Sequence, residues 1–466
     1  MGSHIINWAS LAIYLGLLFS FAIYHRKKNL SGSEFILGGR KMGFIVTALA
    51  AHASDMSSWI FLGYPAAIFL NGIRYGWLAI GLIVFMGFNW LFVAKKLREK
   101  TQHFENLTLF SFFESITKDE TGKIRIITAA VAVIFYTVYI SAGLMGIALL
   151  LNSLFMIPYQ LALLMGVAIV IPFLWVGGYI SLAWTDLAQG LFLIIVIVAV
   201  PFIAILKTPS LIEQIQFSLV EFIPTSKKQA IDALFLLLSW GLGYFGQPHI
   251  LTKFMGIENK GQIYKSMAVG LSWQTIALSC STLIGLIGIF SLKNITNPEM
   301  TFTQLSSQVL PAQFMGIVLA AIVGVTITSM GAQMLIVASS IAQDFYKKSF
   351  CKEATQKQVL FVSRLSVVFI ASIAFCIAFF QPTNLFNLVS YAWFGLGCAF
   401  GPLLIFSLIK PHIHRLSALI GISTGAILSG LLPLIFPGSI NLVIGFFCAA
   451  AAILSSEKLL SANAKS

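Results

Sequence analysis

The sequence predicts an all-α protein that crosses a membrane many times, and three observations carry that prediction. Hydrophobic residues make up 58% of the 466 positions and charged residues only 10%, with a mean hydropathy of +0.92. A chain of that composition cannot build one soluble core and still cover it with a solvated surface. A spanning helix needs about 20 mostly apolar residues, and that ruler finds about thirteen candidates along the chain. Two of them are interrupted by polar or helix-breaking residues, each at the head of a block of five.

The candidates run approximately 5–24, 43–71, 76–94, 126–155, 158–178, 184–206, 231–252, 263–291, 312–345, 359–380, 384–409, 416–435 and 437–456. No small-residue cleavage site follows the first, so it is expected to be a retained helix and not a signal peptide. The second holds Asp55 near its middle, among small and hydroxylated neighbours in AHASDMSS. An ionised side chain at that depth costs at least about 2.5–3.5 kcal/mol, so it marks a functional site with a partner, and a cation is the partner of opposite charge. The seventh reads IDALFLLLSWGLGYFGQPH, with Gly241, Gly243, Gly246 and Pro248 crowded into one half. Glycine loosens a helix there and proline removes a backbone donor.

Non-helical backbone at membrane depth survives only where protein or a watery cavity satisfies it. Two such breaks, five spans apart, predict inverted repeats over helices 2–6 (residues 43–206) and 7–11 (231–409), with residues 5–24, 416–435 and 437–456 peripheral to a single transmembrane domain. In that architecture the broken helices hold cargo near the midplane, half-helix N-termini facing anions and freed carbonyls facing cations. The plain alternative for a glycine-rich membrane helix is a close-packing surface. Following no strand, GLGYFG is not a dinucleotide loop.

The formal net charge of +13 reads as topology and not as nucleic-acid binding. Threading the spans with the N-terminus outside and the C-terminus inside leaves only Arg74, Lys207, Lys227, Lys228 and Lys293 of the 29 basic residues on the outer face. That asymmetry is the positive-inside bias of a cell (inner or plasma) membrane protein. Residues 95–125, with LTLFSFFES inside, predict a short amphipathic helix lying against the membrane, and 207–230 a similar one outside. The five cysteines lack CxxC or Cys/His spacing, so neither a zinc site nor disulfides are expected. Only ten residues follow from Glu457 onward, and no signalling module is expected there.

Five strings now gain weight together: LGGR at 37–40, ASDMS at 53–57, LAWTD at 182–186, WGLGYFGQPHIL at 240–251 and YAWFGLGCAFGP at 391–402. In this order, across residues 31–411, the chain resembles the sodium:solute symporter family, and within it the carriers of proline. The resemblance implies a sodium site built from the carbonyls of Ala53, Met56 and Val325 and the hydroxyls of Thr328 and Ser329. It implies that Asp55 and Ser57 serve sodium coupling, with Asp55 either a direct ligand or a neighbouring counter-charge. It places the substrate against Tyr139, Trp240, Tyr244 and Pro248, with Trp59 and Gly63 lining the same cavity. Arg40 and Asp186 are implied in coupling or ion exit, and Gly331 and Ala332 lack the oxygens of a second sodium site, so one sodium per substrate is expected. No enzyme activity and no cofactor are implied.

The physical reading agrees with the implied one. A hard alkali cation wants several oxygens, and an unwound turn opposite a hydroxyl-bearing helix supplies them. Aromatic rings suit a compact pyrrolidine while their polar tips reach a zwitterion's ends. Three alternatives stay open on sequence: another small solute (amino acid, carboxylate or sugar), proton coupling through Asp55 and His52, and a membrane sensor that transports nothing. His52 itself reads as a packing histidine or a proton carrier.

Overall fold

The computed structural model describes residues 2–25, 32–176, 178–435, 438 and 440–463. Among them helices alone carry the fold, and the one β-bridge joins Met42 to Ile257. Ten helices are long and apolar enough to cross a membrane, and eleven if the bent pair Phe44–Ala53 with Ser58–Asn71 counts as one span. The expected thirteen is therefore not what length and hydropathy establish. Tyr159–Val176 and the two-part stretch Lys227–Gly256 lie where spans five and seven were expected but fall short of that test.

Eight helices position the site, numbered here in chain order. Helices α1 (Phe44–Ala53) and α2 (Gly63–Asn71) are the halves of the second span, bent by 65° with the Ser58–Ile60 turn between them. Helices α3 (Lys123–Phe155) and α4 (Tyr179–Lys207) are continuous. The seventh span is α5 (Lys227–Gly243), a turn over Tyr244–Gly246, and α6 (Pro248–Gly256). Ser226 caps α5 by accepting from the Gln229 N–H, which satisfies one of its free donors. Pro248 opens α6 where a missing N–H costs nothing. Helix α7 (Met315–Ser339) runs through the middle, buried along almost its whole length against α3 and α4, and α8 (Leu385–Ile409) closes over the seventh-span break.

Three expectations change. Helix α4 starts at Tyr179, not 184, so Asp186 lies two turns inside the helix instead of beginning it. Lys253, counted with the inner loop charges, is a buried residue of α6. The amphipathic helix exists as Leu109–Thr117, but its apolar side packs onto the bundle through Phe110 and Phe113 against Phe400, and Leu109, Phe112 and Ile116 are buried too. The helix Leu211–Leu219, within the other expected amphipathic stretch, leaves Phe217 and Ile212 exposed. Arg26, Lys27, Lys28 and Lys465, which enter the inner charge tally, lie outside the described residues.

Candidate functional site

The break in the second span follows from its sequence. Ala53-Ser54-Asp55-Met56-Ser57 offers the backbone short polar side chains that compete with helical bonding. After α1, the Ser54, Met56 and Ser57 N–H groups turn back to the carbonyls of Ala50, His52 and Asp55, and the Ala53 and Met56 carbonyls receive none of these turn bonds. Those two carbonyls are among the ones the family resemblance implies for sodium. Ser329 of α7 reaches the same break, its Oγ donating to the Ser54 carbonyl at 2.6 Å, while Thr328 Oγ1 donates to the Val325 carbonyl at 3.2 Å. Ser54 is a contact that sequence reasoning passed over.

Asp55 is fully enclosed, and its partners come from the other broken span. Tyr244 OH donates to Asp55 Oδ2 at 2.7 Å and itself accepts from Gln274 Nε2 at 2.9 Å, whereas Asp55 Oδ1 is buried with no partner. The Asp55 carbonyl accepts from Trp59 Nε1 at 2.9 Å, which turns the indole toward the seventh span. Ser57 is buried in extended backbone beside Asp55, and Gly63 starts α2 against Leu385 and Phe386 of α8.

Aromatic rings of the two broken spans and of α8 lie close together. Trp240 lies 5.5 Å from Trp59 and 5.2 Å from Phe386, ring centroid to ring centroid. Trp393 of α8, a residue quoted in YAWFGLGCAFGP but given no role, meets Tyr244 edge-on at 5.0 Å and donates Nε1 to the Trp240 carbonyl at 3.0 Å. Gln247 donates to the Gly243 and Trp393 carbonyls at 3.1 Å each, and Asn89 to the Tyr244 carbonyl at 3.1 Å. The freed carbonyls of the seventh-span break are thus satisfied by side chains, as backbone buried from water requires. Tyr139 sits on α3 with a buried OH that has no partner, 6.3 Å from the ring of His249, the residue after Pro248. The glycine-rich stretch proves to be a break and a packing surface at once: Gly241 abuts Phe85 and Gly243 abuts Trp393.

Asp186 and Arg40 are the other two expected residues. Asp186 pairs with Lys253 at 2.9 Å, both buried, and also lies beside Thr328. A lone buried acid would be far more costly than this pair. Sequence reading missed it because Lys253 looked like a loop charge. Arg40 ends a turn in which Gly38, Gly39 and Arg40 all have positive φ, near +60°. Glycine is at ease there and arginine is not, so the turn stores strain that neighbouring contacts must hold. Its guanidinium holds them, donating to the carbonyls of Met255, Thr101 and Asn106 at 2.7, 2.9 and 2.7 Å. Burial lowers its pKa to about 10, so it stays a cation at neutral pH. His52 accepts from Trp90 Nε1 at 3.1 Å and fills the notch at Gly270, which is the packing role.

Besides Asp55 Oδ1 and Tyr139 OH, the buried polar atoms without partners include Asn89 Oδ1, Gln247 Oε1, Gln274 Oε1 and His249 Nε2, all on residues of the two breaks or touching them. Buried polar groups are normally paired. Their concentration here suits a polar cargo and ion.

The sodium:solute symporter family profile matches residues 35–425. Across 423 residues the chain is 35% identical to the sodium/proline symporter of Escherichia coli (strain K12), covering 88% of this chain and 84% of that one. The high-affinity proline transporter PutP of Bacillus subtilis (strain 168) is 32% identical over 418 residues, 88% of each. Among solved structures, a Na+-coupled sialic acid symporter in a substrate-bound outward-open state superimposes with a TM-score of 0.83 at 16% identity, covering 97% of this chain and 98% of that one. MHP1, a nucleobase-cation-symport-1 family transporter, gives 0.60 at 13% identity, with 93% and 96% covered. At such identities the likeness is one of fold.

Proposed function

The chain belongs to the sodium:solute symporter family, and on that footing we propose that it couples inward sodium movement to uptake of L-proline by alternating access, one sodium per substrate. The observation that carries this reading is the junction at the second-span break, where Ser329 bonds the Ser54 carbonyl and Asp55 bonds Tyr244. A sodium ion there would be held by the Ala53, Met56 and Val325 carbonyls and the Thr328 and Ser329 hydroxyls, with Asp55 and Ser57 biasing the turn. The substrate would lie against Tyr139, Trp240, Tyr244 and Pro248. The names of the relatives support proline, and the aromatic lining suits its compact ring.

Linkage then gives the mechanism. Ion binding draws α1 and α7 together and completes the cavity through the Asp55–Tyr244 contact, so sodium raises substrate affinity and substrate raises sodium affinity by the same factor. Inner opening would release both beside Arg40 and the Asp186–Lys253 pair. We read the N-terminus as outside, the C-terminus as cytoplasmic, and residues 43–206 and 231–409 as inverted repeats in a cell membrane. One charge crossing about 100 mV contributes about 2.3 kcal/mol and a roughly tenfold sodium gradient about 1.4 kcal/mol. Together they sustain an accumulation of several hundredfold.

The test is radiolabelled L-proline uptake into reconstituted vesicles under an imposed sodium gradient, with proton and potassium gradients and competing solutes as controls. Uptake that follows protons and ignores sodium would refute the coupling. Two variants sharpen it. Thr328→Ala with Ser329→Ala is expected to raise the sodium concentration for half-maximal uptake by about tenfold or more, from the loss of two oxygen ligands. Trp240→Ala is expected to raise the proline KM about tenfold, since truncating a well-packed aromatic anchor typically costs more than 1 kcal/mol. Equal losses across all competing solutes would instead mark Trp240 as scaffold.

A further inference from the structure

His249 has no part in the reading above, yet it lies beside Tyr139 with its imidazole fully buried. Its hydrogen bonds fix where its proton sits. The Tyr136 OH accepts from the His249 backbone N–H at 3.0 Å and pairs with His249 Nδ1 at 2.9 Å. The hydroxyl's own proton needs an acceptor, and among the described residues Nδ1 is the one it has. Nδ1 therefore accepts, and the ring carries its proton on Nε2. That Nε2–H is a buried donor with no partner.

Around the same breaks the unpartnered atoms separate by chemistry. On the Tyr244 side the ones left for cargo are acceptors, Asp55 Oδ1, Gln247 Oε1 and Asn89 Oδ1, while Gln274 Oε1 lies beside the protonated His52 Nδ1, whose Nε2 accepts from Trp90. The amide orientations are forced, because each NH2 group donates to a carbonyl or to the Tyr244 hydroxyl. On the α3 side they are a donor, His249 Nε2–H, and the Tyr139 and Ser58 hydroxyls. A ligand with a cationic end and an anionic end matches such a division.

We propose that His249 is a substrate-recognition residue whose Nε2–H binds the carboxylate of the transported solute, and that Tyr136 positions it by holding the tautomer. This rests on the amino-acid symport reading and deepens it. Tyr139 OH shares the carboxylate, and the acceptors near Tyr244 take the amine. Losing a hydrogen bond to a charged group weakens binding more than losing a neutral one, so the effect must depend on the solute's carboxylate.

The experiment measures the L-proline KM and the inhibition constant of L-prolinamide in vesicles under an inward sodium gradient for wild type, His249→Leu, His249→Gln and Tyr136→Phe. His249→Leu is expected to raise the proline KM about tenfold or more while prolinamide inhibition moves less than about threefold. His249→Gln, which keeps a side-chain N–H, and Tyr136→Phe, which frees the tautomer, should show the same narrowing to a smaller degree. A proline KM within about twofold of wild type in His249→Leu, or an equal weakening of proline and prolinamide, overturns the proposal in favour of packing. If the leucine variant does not reach the membrane, an unchanged proline-to-prolinamide ratio in both other variants overturns it equally. Wild-type vesicles that take up no proline would instead refute the substrate reading, a result visible before any variant is made.

Discussion

Asp55→Asn is expected to raise the sodium concentration for half-maximal uptake by about 100-fold while leaving the protein folded and in the membrane. The substitution keeps the shape of the side chain and an oxygen to accept from Tyr244 OH. What it removes is a charge in a site walled from water, where a cation a few ångström away feels it with little screening. At an effective dielectric of about 20 a pair at 4 Å interacts by about 4 kcal/mol, and a loss near 2.7 kcal/mol is already about a hundredfold. Stability should move the other way or not at all. A buried carboxylate with Oδ1 unpartnered is costly to keep, so the melting temperature of the sodium-free variant is expected to equal or exceed that of wild type. Sodium titration of uptake and thermal unfolding in choline buffer measure the two effects separately. Unchanged sodium dependence would remove Asp55 from the coupling site, and a lower melting temperature would make it a structural residue.

Much of this was legible because a membrane simplifies the physics. Lipid demands long apolar helices, so hydropathy locates them; it forbids broken ones unless something answers the backbone, so Asp55 and the Gly241–Pro248 cluster stand out. The answering groups were not legible. Trp393 and Asn89 satisfy carbonyls of the seventh span from positions 153 and 155 residues away, and nothing local distinguishes them from other polar or aromatic residues in spans. Lys253 shows the opposite failure. A lysine near a predicted helix end reads as a loop charge, and only its packing against Asp186 shows it to be buried. The same holds for Leu109–Thr117, whose amphipathic pattern fixes a helix but not whether lipid or protein covers its apolar face. Boundary shifts such as α4 beginning at Tyr179 follow from Gly178, extended backbone just before the helix that the apolar ruler does not see. The Arg40 contacts were not legible: the three carbonyls its guanidinium gathers come from two distant segments.

Gly246→Ala carries the second large effect, and its argument is steric. A Cβ at this position would lie 2.3 Å from the Leu396 carbonyl oxygen and 2.6 Å from Gly397 Cα, both backbone atoms of α8. Flexible side chains can yield to such a contact; a helix backbone cannot yield locally. Helix α8 is itself pinned to the break, because a Cβ on Gly397 would lie 2.9 Å from Gly243 Cα. The methyl group must therefore push the Tyr244–Gly246 turn away from α8 as a unit. That separates Trp393 Nε1 from the Trp240 carbonyl and Gln247 from the Trp393 carbonyl, and it turns Tyr244 away from Asp55. Overpacking of this kind costs about 1–3 kcal/mol in stability, and misplacing a cargo-binding turn by about 1 Å can cost a hundredfold in rate. Uptake is expected to fall at least tenfold, with both the sodium and proline half-saturation values raised, since the turn carries Tyr244 for one and Trp240 beside it for the other. Gly16→Ala is the control, at a helix position with nothing within 4 Å of the new Cβ, and should leave both values unchanged. A Gly246→Ala carrier with wild-type kinetics would mean that α8 and the seventh span do not meet as closely as 2.3 Å implies, and the coupling route through Tyr244 would lose its support.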